Sequence, residues 1–208
     1  MKVLIELPTW LGDSIMTTPA IENLCNYYGD VEITILGSDV SVEVMKNHPK
    51  VIQTYVLTKK SPNLLKILIN LGRFDIFISF RSSFRSKVIK FLTSSRNKYQ
   101  FDKFKYKDSH QVEKYNNFVN DSLNINTNAS KLILYPEKKS ESKNKKLLGI
   151  NPGASYGDAK QWYPKRFADV ASRLSSEYDI VIFGGPKEKS IAKDIEKDLT
   201  DKGIYNFK

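Results

Sequence analysis

The sequence KVLIELPTWLGDSIMTTPAIENLCNYYGDVEITIL, residues 2–36, holds the pattern from which the fold is predicted. An apolar run at Lys2–Leu7 predicts a buried strand, and apolar residues at helical spacing predict a helix over Ser14–Tyr28 that Pro19 bends or restarts. A second apolar run, Val31–Leu36, predicts the next strand. Strand, helix and strand in this order are typical of parallel sheets with helices on both faces.

The same alternation continues along the chain. We predict further strands at Val51–Leu57, Asp75–Phe80, Lys131–Tyr135, Leu147–Ile150 and Asp179–Phe183, and helices at Val40–Asn47, Pro62–Leu71, Phe84–Leu92, Gln111–Leu123, Pro164–Glu177 and Lys187–Leu199. The basic region between Leu92 and Gln111 is predicted to be irregular.

Residues 136–146, PEKKSESKNKK, have the composition of an interdomain linker. We therefore predict an α/β protein with two doubly wound parallel-sheet domains, 1–135 and 147–208. The second domain holds two strands and the start of a third near Gly203, so we expect it to be truncated and the chain to be a fragment of a longer protein.

Charge and cysteine content narrow the function classes. The formal net charge is +10, and ten Lys or Arg stand against three Asp or Glu between Arg81 and Lys114. This window predicts a surface for a phosphate- or carboxylate-bearing partner, with a solvated basic face as the alternative.

The single cysteine, Cys25, excludes a disulfide scaffold and a Cys-rich zinc site. Without a signal-peptide pattern or an apolar run of about 18 residues, we expect a cytoplasmic protein.

Ligands of doubly wound sheets bind in the loops that follow the strands. The first such loop, Pro8–Asp13, has one glycine and ends in a carboxylate, which would repel a dinucleotide pyrophosphate. Asp13 is predicted either to cap the following helix or to act as a general base. The two roles are compatible, because the helix dipole would keep the carboxylate ionised.

A second loop, Asn151–Trp162, combines small residues with a cation just before a predicted helix. The small residues Gly153 and Ala154 would offer backbone N–H groups, Ser155 a hydroxyl and Lys160 an ammonium. Together these groups would suit a diphosphate. The alternative is a glycine-rich connector with a solvated lysine. In a third loop, Gly184-Gly185 could admit a nucleotide base or ribose, or form a simple tight turn.

Three segments together resemble a known family: ELPTWLGDSIMTTPAIENL (6–24), NPGASYGDAKQWYPKRFADVA (151–171) and IVIFGGPKE (180–188). They resemble the bacterial lipopolysaccharide heptosyltransferases of glycosyltransferase family 9, over nearly the whole chain and most loosely at 98–146. The resemblance implies a GT-B fold of two Rossmann-like domains, with ADP-heptose bound mainly by the second and an anionic lipid A–core acceptor bound by the first. It also implies inverting transfer without a metal. The family's Asp-Ser-Gly-Pro-x-His donor segment is absent from these 208 residues.

The resemblance assigns roles by motif. Asp13 falls on the catalytic base. Donor-binding residues are expected at Gly153, Ala154, Ser155, Tyr156, Lys160, Gly184 and Gly185. Acceptor-binding residues are expected at Thr9, Trp10, Gly12, Arg81, Ser83, Arg85 and His110. No metal ligand or cofactor is expected, and peripheral contact with the cytoplasmic face of the inner membrane is a secondary expectation.

Three alternatives stay open at the level of the sequence. One is a GT-B enzyme that uses another nucleotide sugar, and another is a catalytically incomplete nucleotide-binding fragment or scaffold. The third is a nucleic-acid-binding module built on the basic window. Since no RNP, KH, zinc-finger or helix-turn-helix signature is visible, we expect no nucleic-acid partner.

Overall fold

The computed structural model describes residues 1–57, 67–68, 70–137, 145–154 and 158–208. The chain divides into two compact units, Met1–Lys138 and Lys139–Lys208. The division falls within the segment predicted as a linker, of which residues 138–144 lie outside the described residues.

The first unit alternates strands and helices around one sheet. Its elements are β1 (Lys2–Glu6), α1 (Leu11–Met16), α2 (Thr18–Tyr28), β2 (Glu32–Gly37), α3 (Asp39–Met45), β3 (Val51–Val56), β4 (Arg73–Ser79), α4 (Phe84–Leu92), β5 (Ser94–Gln100) and α5 (Gln111–Leu123). All neighbouring strands pair in parallel, in the order β3–β2–β1–β4–β5. The prediction of a parallel α/β architecture is confirmed.

The strand order places a reversal of winding at the centre of the sheet. From β1 the chain proceeds outward through β2 and β3, then returns to the other side of β1 as β4 and β5. In doubly wound sheets ligands bind outside the carboxyl ends of the strands at such a reversal. The loops after β1 and β4 therefore flank the expected site.

Both faces of the sheet are covered by helices, which explains why the middle of β1, residues 3–5, is a continuous apolar run. Alternate residues of β1 enter different clusters: Val3 and Ile5 pack with residues of α2 and α5, and Leu4 packs with Ile89 of α4. All three β1 side chains are fully buried.

Of the two effects predicted for Pro19, a bend or a restart of the helix over Ser14–Tyr28, the structure shows the restart. Helix α1 ends at Met16, and α2 begins at Thr18 with Pro19 in its first turn, where the missing backbone N–H costs nothing. The helix predicted at Pro62–Leu71 lies mostly outside the described residues. Of that segment, residues 67, 68 and 70 are helical.

The prediction that the chain is irregular between Leu92 and Gln111 is wrong for Ser94–Gln100, which form β5. The segment SSRNKYQ has no apolar run, because an edge strand is stabilised by its ladder to β4 and not by burial on both faces. Its charged residues are typical of edge strands that resist pairing with other chains.

The prediction of a strand at Lys131–Tyr135 is also wrong, since no ladder includes this segment. It is held instead by side chains of α2. The N–H of Ile133 donates to Thr18 Oγ1 at 3.2 Å, and the hydroxyl of Tyr135 donates to Glu22 Oε1 at 3.0 Å. Leu132 and Leu134 are exposed and Ile133 is half-buried, and a short apolar run of this kind cannot be told from a strand by its pattern alone.

Over its described residues, 145–154 and 158–208, the second unit has two parallel strands and two helices. Its elements are β6 (Lys146–Ile150), a 3₁₀ turn (Asp158–Lys160), α6 (Pro164–Leu174), β7 (Tyr178–Ile182), a second 3₁₀ turn (Pro186–Glu188) and α7 (Lys189–Asp201). Near the end of the chain, Phe207 bridges Ile180 in parallel. The predicted strand and helix types are confirmed here, although α6 ends three residues earlier than predicted.

Within the described ranges, no helix is long and apolar enough to cross a bilayer.

Candidate functional site

The loop after β1 is held by side chains from two helices. Ser14 Oγ donates to the carbonyl of Pro8 at 3.1 Å, and the Ser41 hydroxyl donates to the same carbonyl. Ser38 Oγ donates to the carbonyl of Thr9 at 2.8 Å. Because its carbonyls are fixed by α1 and by the start of α3, the loop presents the beginning of α1 in one defined position.

Asp13 lies half-buried in the first turn of α1. The alternative that Asp13 caps this helix is wrong, because the N-cap position belongs to Trp10. Its carboxylate lies near Tyr115 of α5. Burial of the phenol, and after it the charge of Asp13, raises the pKa of Tyr115 to about 12.

His110 is the N-cap residue of α5, the helix that carries Tyr115. Its ring Nδ1 accepts a hydrogen bond from the backbone N–H of Val112 at 3.4 Å, and the residue is exposed. The packing of α1 against α5 thus brings Asp13 to the helix that begins at His110. Asp13 is predicted to be the base and His110 an acceptor contact. The two residues are far apart in the sequence.

A buried carboxylate lies at the end of β1, below the two loops. Glu6 is fully buried, and its carboxylate accepts hydrogen bonds from Ser79 Oγ at 2.6 Å and Ser86 Oγ at 2.9 Å. Arg81 Nη1 lies 3.8 Å from Glu6 Oε1. Burial raises the pKa of the Glu6 carboxyl, although both hydroxyl bonds and the charges of Arg81 and Arg85 oppose the rise.

Sequence reasoning missed Glu6. The signal was a charged residue inside the otherwise apolar run KVLIEL, because a carboxylate is rarely buried unless it has partners. The partners come from residues more than seventy positions away, which no local pattern could identify.

The predicted acceptor-binding residues of the β4–α4 loop lie beside this carboxylate. The Arg81 side chain is 21% exposed. Ser83 is the N-cap of α4, and its Oγ accepts from the N–H of Ser86 at 3.2 Å. Arg85 is half-buried in the first turn of α4. The loop therefore offers two partly exposed guanidinium groups at the carboxyl end of β4, while Ser83 has a structural role as a cap.

Glycines of the second unit surround a carboxylate that the sequence did not single out. Glu188 accepts a hydrogen bond from the N–H of Gly185, and a Cβ at Gly153 would overlap the Glu188 Cγ. A Cβ at Gly184 would lie 3.1 Å from the Glu188 Cβ. Close approach to Glu188 thus explains the three glycines, and the carboxylate is suited to accept hydrogen bonds from hydroxyl groups.

Lys160 ends a 3₁₀ turn and is exposed, four residues before α6 begins at Pro164. Lys165 and Arg166 add two exposed cations in the first turn of α6, which sequence reasoning did not include. Ala154 is half-buried. The predicted donor contacts Ser155 and Tyr156 lie outside the described residues, so the structure positions this loop only at its two ends.

In the part of the chain that the structure describes, no three His, Cys, Asp or Glu side chains are grouped so as to hold a metal ion.

Comparison of the sequence with protein families and with known proteins shows that the chain belongs to glycosyltransferase family 9. Residues 69–206 match the model of glycosyltransferase family 9 (heptosyltransferase). The chain is 38% identical over 212 residues to lipooligosaccharide heptosyltransferase 2 of Campylobacter jejuni, a match that includes 98% of this chain and 66% of the relative. The chain thus spans about two thirds of the length of this relative.

Solved structures show the same fold at lower identity. The structure of E. coli ADP-heptose LPS heptosyltransferase II matches all of this chain and 71% of its own, with a TM-score of 0.76 and 18% identity. That of E. coli heptosyltransferase WaaC with ADP matches all of this chain and 73% of its own, with a TM-score of 0.76 and 16% identity. These likenesses support the predicted GT-B class of fold.

Proposed function

Because the chain belongs to glycosyltransferase family 9, the heptosyltransferases, we propose that the protein transfers heptose from ADP-heptose to the heptosyl-Kdo-lipid A inner core of lipopolysaccharide, with inversion and without a metal. The observation on which the proposal rests is the carboxylate of Asp13, which lies in the first turn of α1 after a loop whose carbonyls are held in place, at the winding reversal of the first sheet.

Asp13 acts in this proposal as the general base. A sugar hydroxyl is a weak nucleophile, so a positioned carboxylate takes its proton as the oxygen attacks the anomeric carbon. The bond to the ADP oxygen breaks on the opposite face of the sugar, which inverts the anomeric configuration. The proton ends on Asp13, and the negative charge leaves with ADP.

The donor occupies the carboxyl ends of β6 and β7. Lys160 and the exposed cations at the start of α6 balance the diphosphate charge, which develops further as ADP departs. Glu188, with a carboxylate beside Gly153 and Gly185, accepts hydrogen bonds from hydroxyl groups of the donor. Phosphates and hydroxyls are thereby assigned to different parts of the same unit.

The acceptor occupies the first unit. Arg81 and Arg85 lie at the carboxyl end of β4, next to β1 and its Asp13 loop, and they bind the carboxylates or phosphates of the acceptor. Thr9, Trp10, Gly12 and His110 complete the predicted acceptor contacts. The enzyme works in the cytoplasm, in peripheral contact with the inner membrane in which the acceptor is anchored.

Transfer by the whole protein tests the proposal. Purified protein is incubated with ADP-heptose and heptosyl-Kdo-lipid A, and the mass of the lipid product is measured with and without EDTA. We expect one heptose to be added and EDTA to have no effect. Absence of product with ADP-heptose, and transfer from another nucleotide sugar, would favour the alternative GT-B activity instead.

A further inference from the structure

Helix α4 carries apolar side chains on its outward face. Phe84 and Phe91 are 80% and 82% exposed, and Val88 and Leu92 are exposed at the same side of the helix. The opposite side packs on the sheet through Ile89, which is fully buried. Positions 84, 88, 91 and 92 follow helical spacing, so the exposed residues form a continuous apolar stripe.

Cations flank this stripe. On the helix, Lys87 and Lys90 lie along one border of the stripe and Arg85 along the other, as the 100° step per residue requires. Lys87 and Lys90 also line a groove of about 330 Å³ together with Lys103 and Phe104 from the segment after β5. The stripe is therefore continuous with a second basic segment.

That second segment repeats the same chemistry. Phe104 is 65% exposed, and the ammonium groups of Lys103 and Lys107 lie 4.9 and 5.6 Å from its ring centroid. Asp102 is the acidic neighbour, with Oδ1 accepting from the N–H of Phe104 at 2.9 Å. We call the combined surface the aromatic–lysine face: Phe84, Lys87, Val88, Lys90, Phe91, Leu92, Lys103, Phe104 and Lys107.

We propose that the aromatic–lysine face docks on the surface of an anionic phospholipid bilayer. Phe84, Phe91 and Phe104 enter the boundary between headgroups and acyl chains, and the lysines meet the lipid phosphates. An apolar stripe bordered by lysines is the pattern of helices that lie in a membrane interface. Lysines near an anionic surface add attraction that screens with salt.

This inference deepens the proposed function, on which it rests for the choice of a lipid surface over other anionic partners. Helix α4 follows directly from the loop with Arg81 and Ser83. Docking through α4 would therefore hold the proposed acceptor-binding loop next to the membrane that contains the acceptor.

Vesicle binding by the whole protein tests the inference. Wild type and the double variant Phe84→Ser/Phe91→Ser are sedimented with vesicles of phosphatidylcholine alone or of phosphatidylcholine and phosphatidylglycerol at 3:1. Tyr27→Ser is the matched control, because Tyr27 is 55% exposed on α2, away from the face. Far-ultraviolet circular dichroism checks that each variant is folded.

We expect wild type and Tyr27→Ser to bind the anionic vesicles, and the double variant to bind at least about tenfold more weakly. Lys87→Ser/Lys90→Ser should weaken binding and reduce its dependence on salt. Equal binding by the double variant and wild type would overturn the inference, as would equal binding to both vesicle types.

Two further outcomes identify other occupants and also overturn the inference. If the aromatic substitutions abolish a concentration-dependent dimer and leave vesicle binding unchanged, the face is an interface between two copies. If the aromatic substitutions leave vesicle binding unchanged, and single-stranded RNA competes with the vesicles for the protein, the partner of this face is a nucleic acid.

Failure here is distinguishable from failure of the proposed function. The Phe84→Ser/Phe91→Ser variant should transfer heptose at the wild-type rate to a deacylated, water-soluble acceptor. Vesicle binding without any transfer by wild type would refute the glycosyltransferase proposal and leave the docking surface intact.

Discussion

Glu6 and Ser79 are register partners on the adjacent parallel strands β1 and β4, and Ser79 Oγ donates to Glu6 Oε2 at 2.6 Å. The bond joins the carboxyl ends of the two strands at the winding reversal of the sheet. Since Ser86 of α4 donates to the other carboxylate oxygen, one buried acid links the two loops that are proposed to bind the acceptor.

The first prediction concerns this acid and pH. The folded-state pKa of Glu6 is raised above its ordinary value of 4.5, chiefly by burial. The folded protein then holds this proton more tightly than the unfolded chain, so ionisation of Glu6 opposes folding as pH rises from 4.5 through the folded pKa. Relative to Glu6→Gln, the wild-type free energy of unfolding should fall over this range and then level off.

Urea denaturation at a series of pH values measures this difference. Glu32→Gln is the control, because Glu32 is exposed on β2. A wild-type stability that rises with pH relative to Glu6→Gln would show that hydrogen bonding to the carboxylate outweighs its desolvation.

The second prediction concerns the cap of α4. Ser83 accepts from the N–H of Ser86, so Ser83→Ala should lower the free energy of unfolding by about 1 kcal/mol, within the usual range for a lost N-cap. Denaturation of Ser83→Ala and of the exposed control Ser109→Ala measures the loss. No difference between the two variants would mean that Ser83 does not stabilise the helix start.

The third prediction concerns the donor. Lys160→Ala should weaken ADP binding, and Lys160→Arg should keep part of it, because charge matters more than shape for a diphosphate contact. The matched control is Lys193→Ala, which removes an exposed lysine from α7. Calorimetry gives the Kd values. If that of Lys160→Ala agrees with wild type within about twofold, a difference under roughly 0.5 kcal/mol, Lys160 is a solvated lysine.

The sequence was sufficient for features that depend on local pattern. The interior of buried strands such as Lys2–Glu6 is an apolar run, and Pro19 interrupts a helix by its own covalent geometry. The edge strand β5 was not predictable in this way, because its ladder to β4 stabilises it whatever its side chains. Lys131–Tyr135 is the converse case: its pattern predicts a strand, but the segment joins no sheet and is hydrogen-bonded to Thr18 and Glu22 of α2.

Some residues of the candidate site could be predicted from local sequence, and others could not. Asp13 and Lys160 lie in short motifs next to strand ends, and these could be identified from the sequence. The partners of Glu6 and the glycines around Glu188 depend on contacts between distant segments, which only the fold brings together.

The central claim is that Asp13 removes the acceptor proton, and the rate of heptose transfer by Asp13→Asn tests it most directly. The matched control is Asp39→Asn, because Asp39 is likewise an acidic residue in the first turn of a short helix, α3. The pKa of Tyr115 provides a folded-state check, since it should fall from about 12 when the Asp13 charge is removed. In the whole protein with saturating ADP-heptose and acceptor, we predict that kcat falls by about 10² or more for Asp13→Asn and is unchanged for Asp39→Asn. A kcat near that of wild type for Asp13→Asn, in a protein that is folded and binds ADP normally, would contradict the claim.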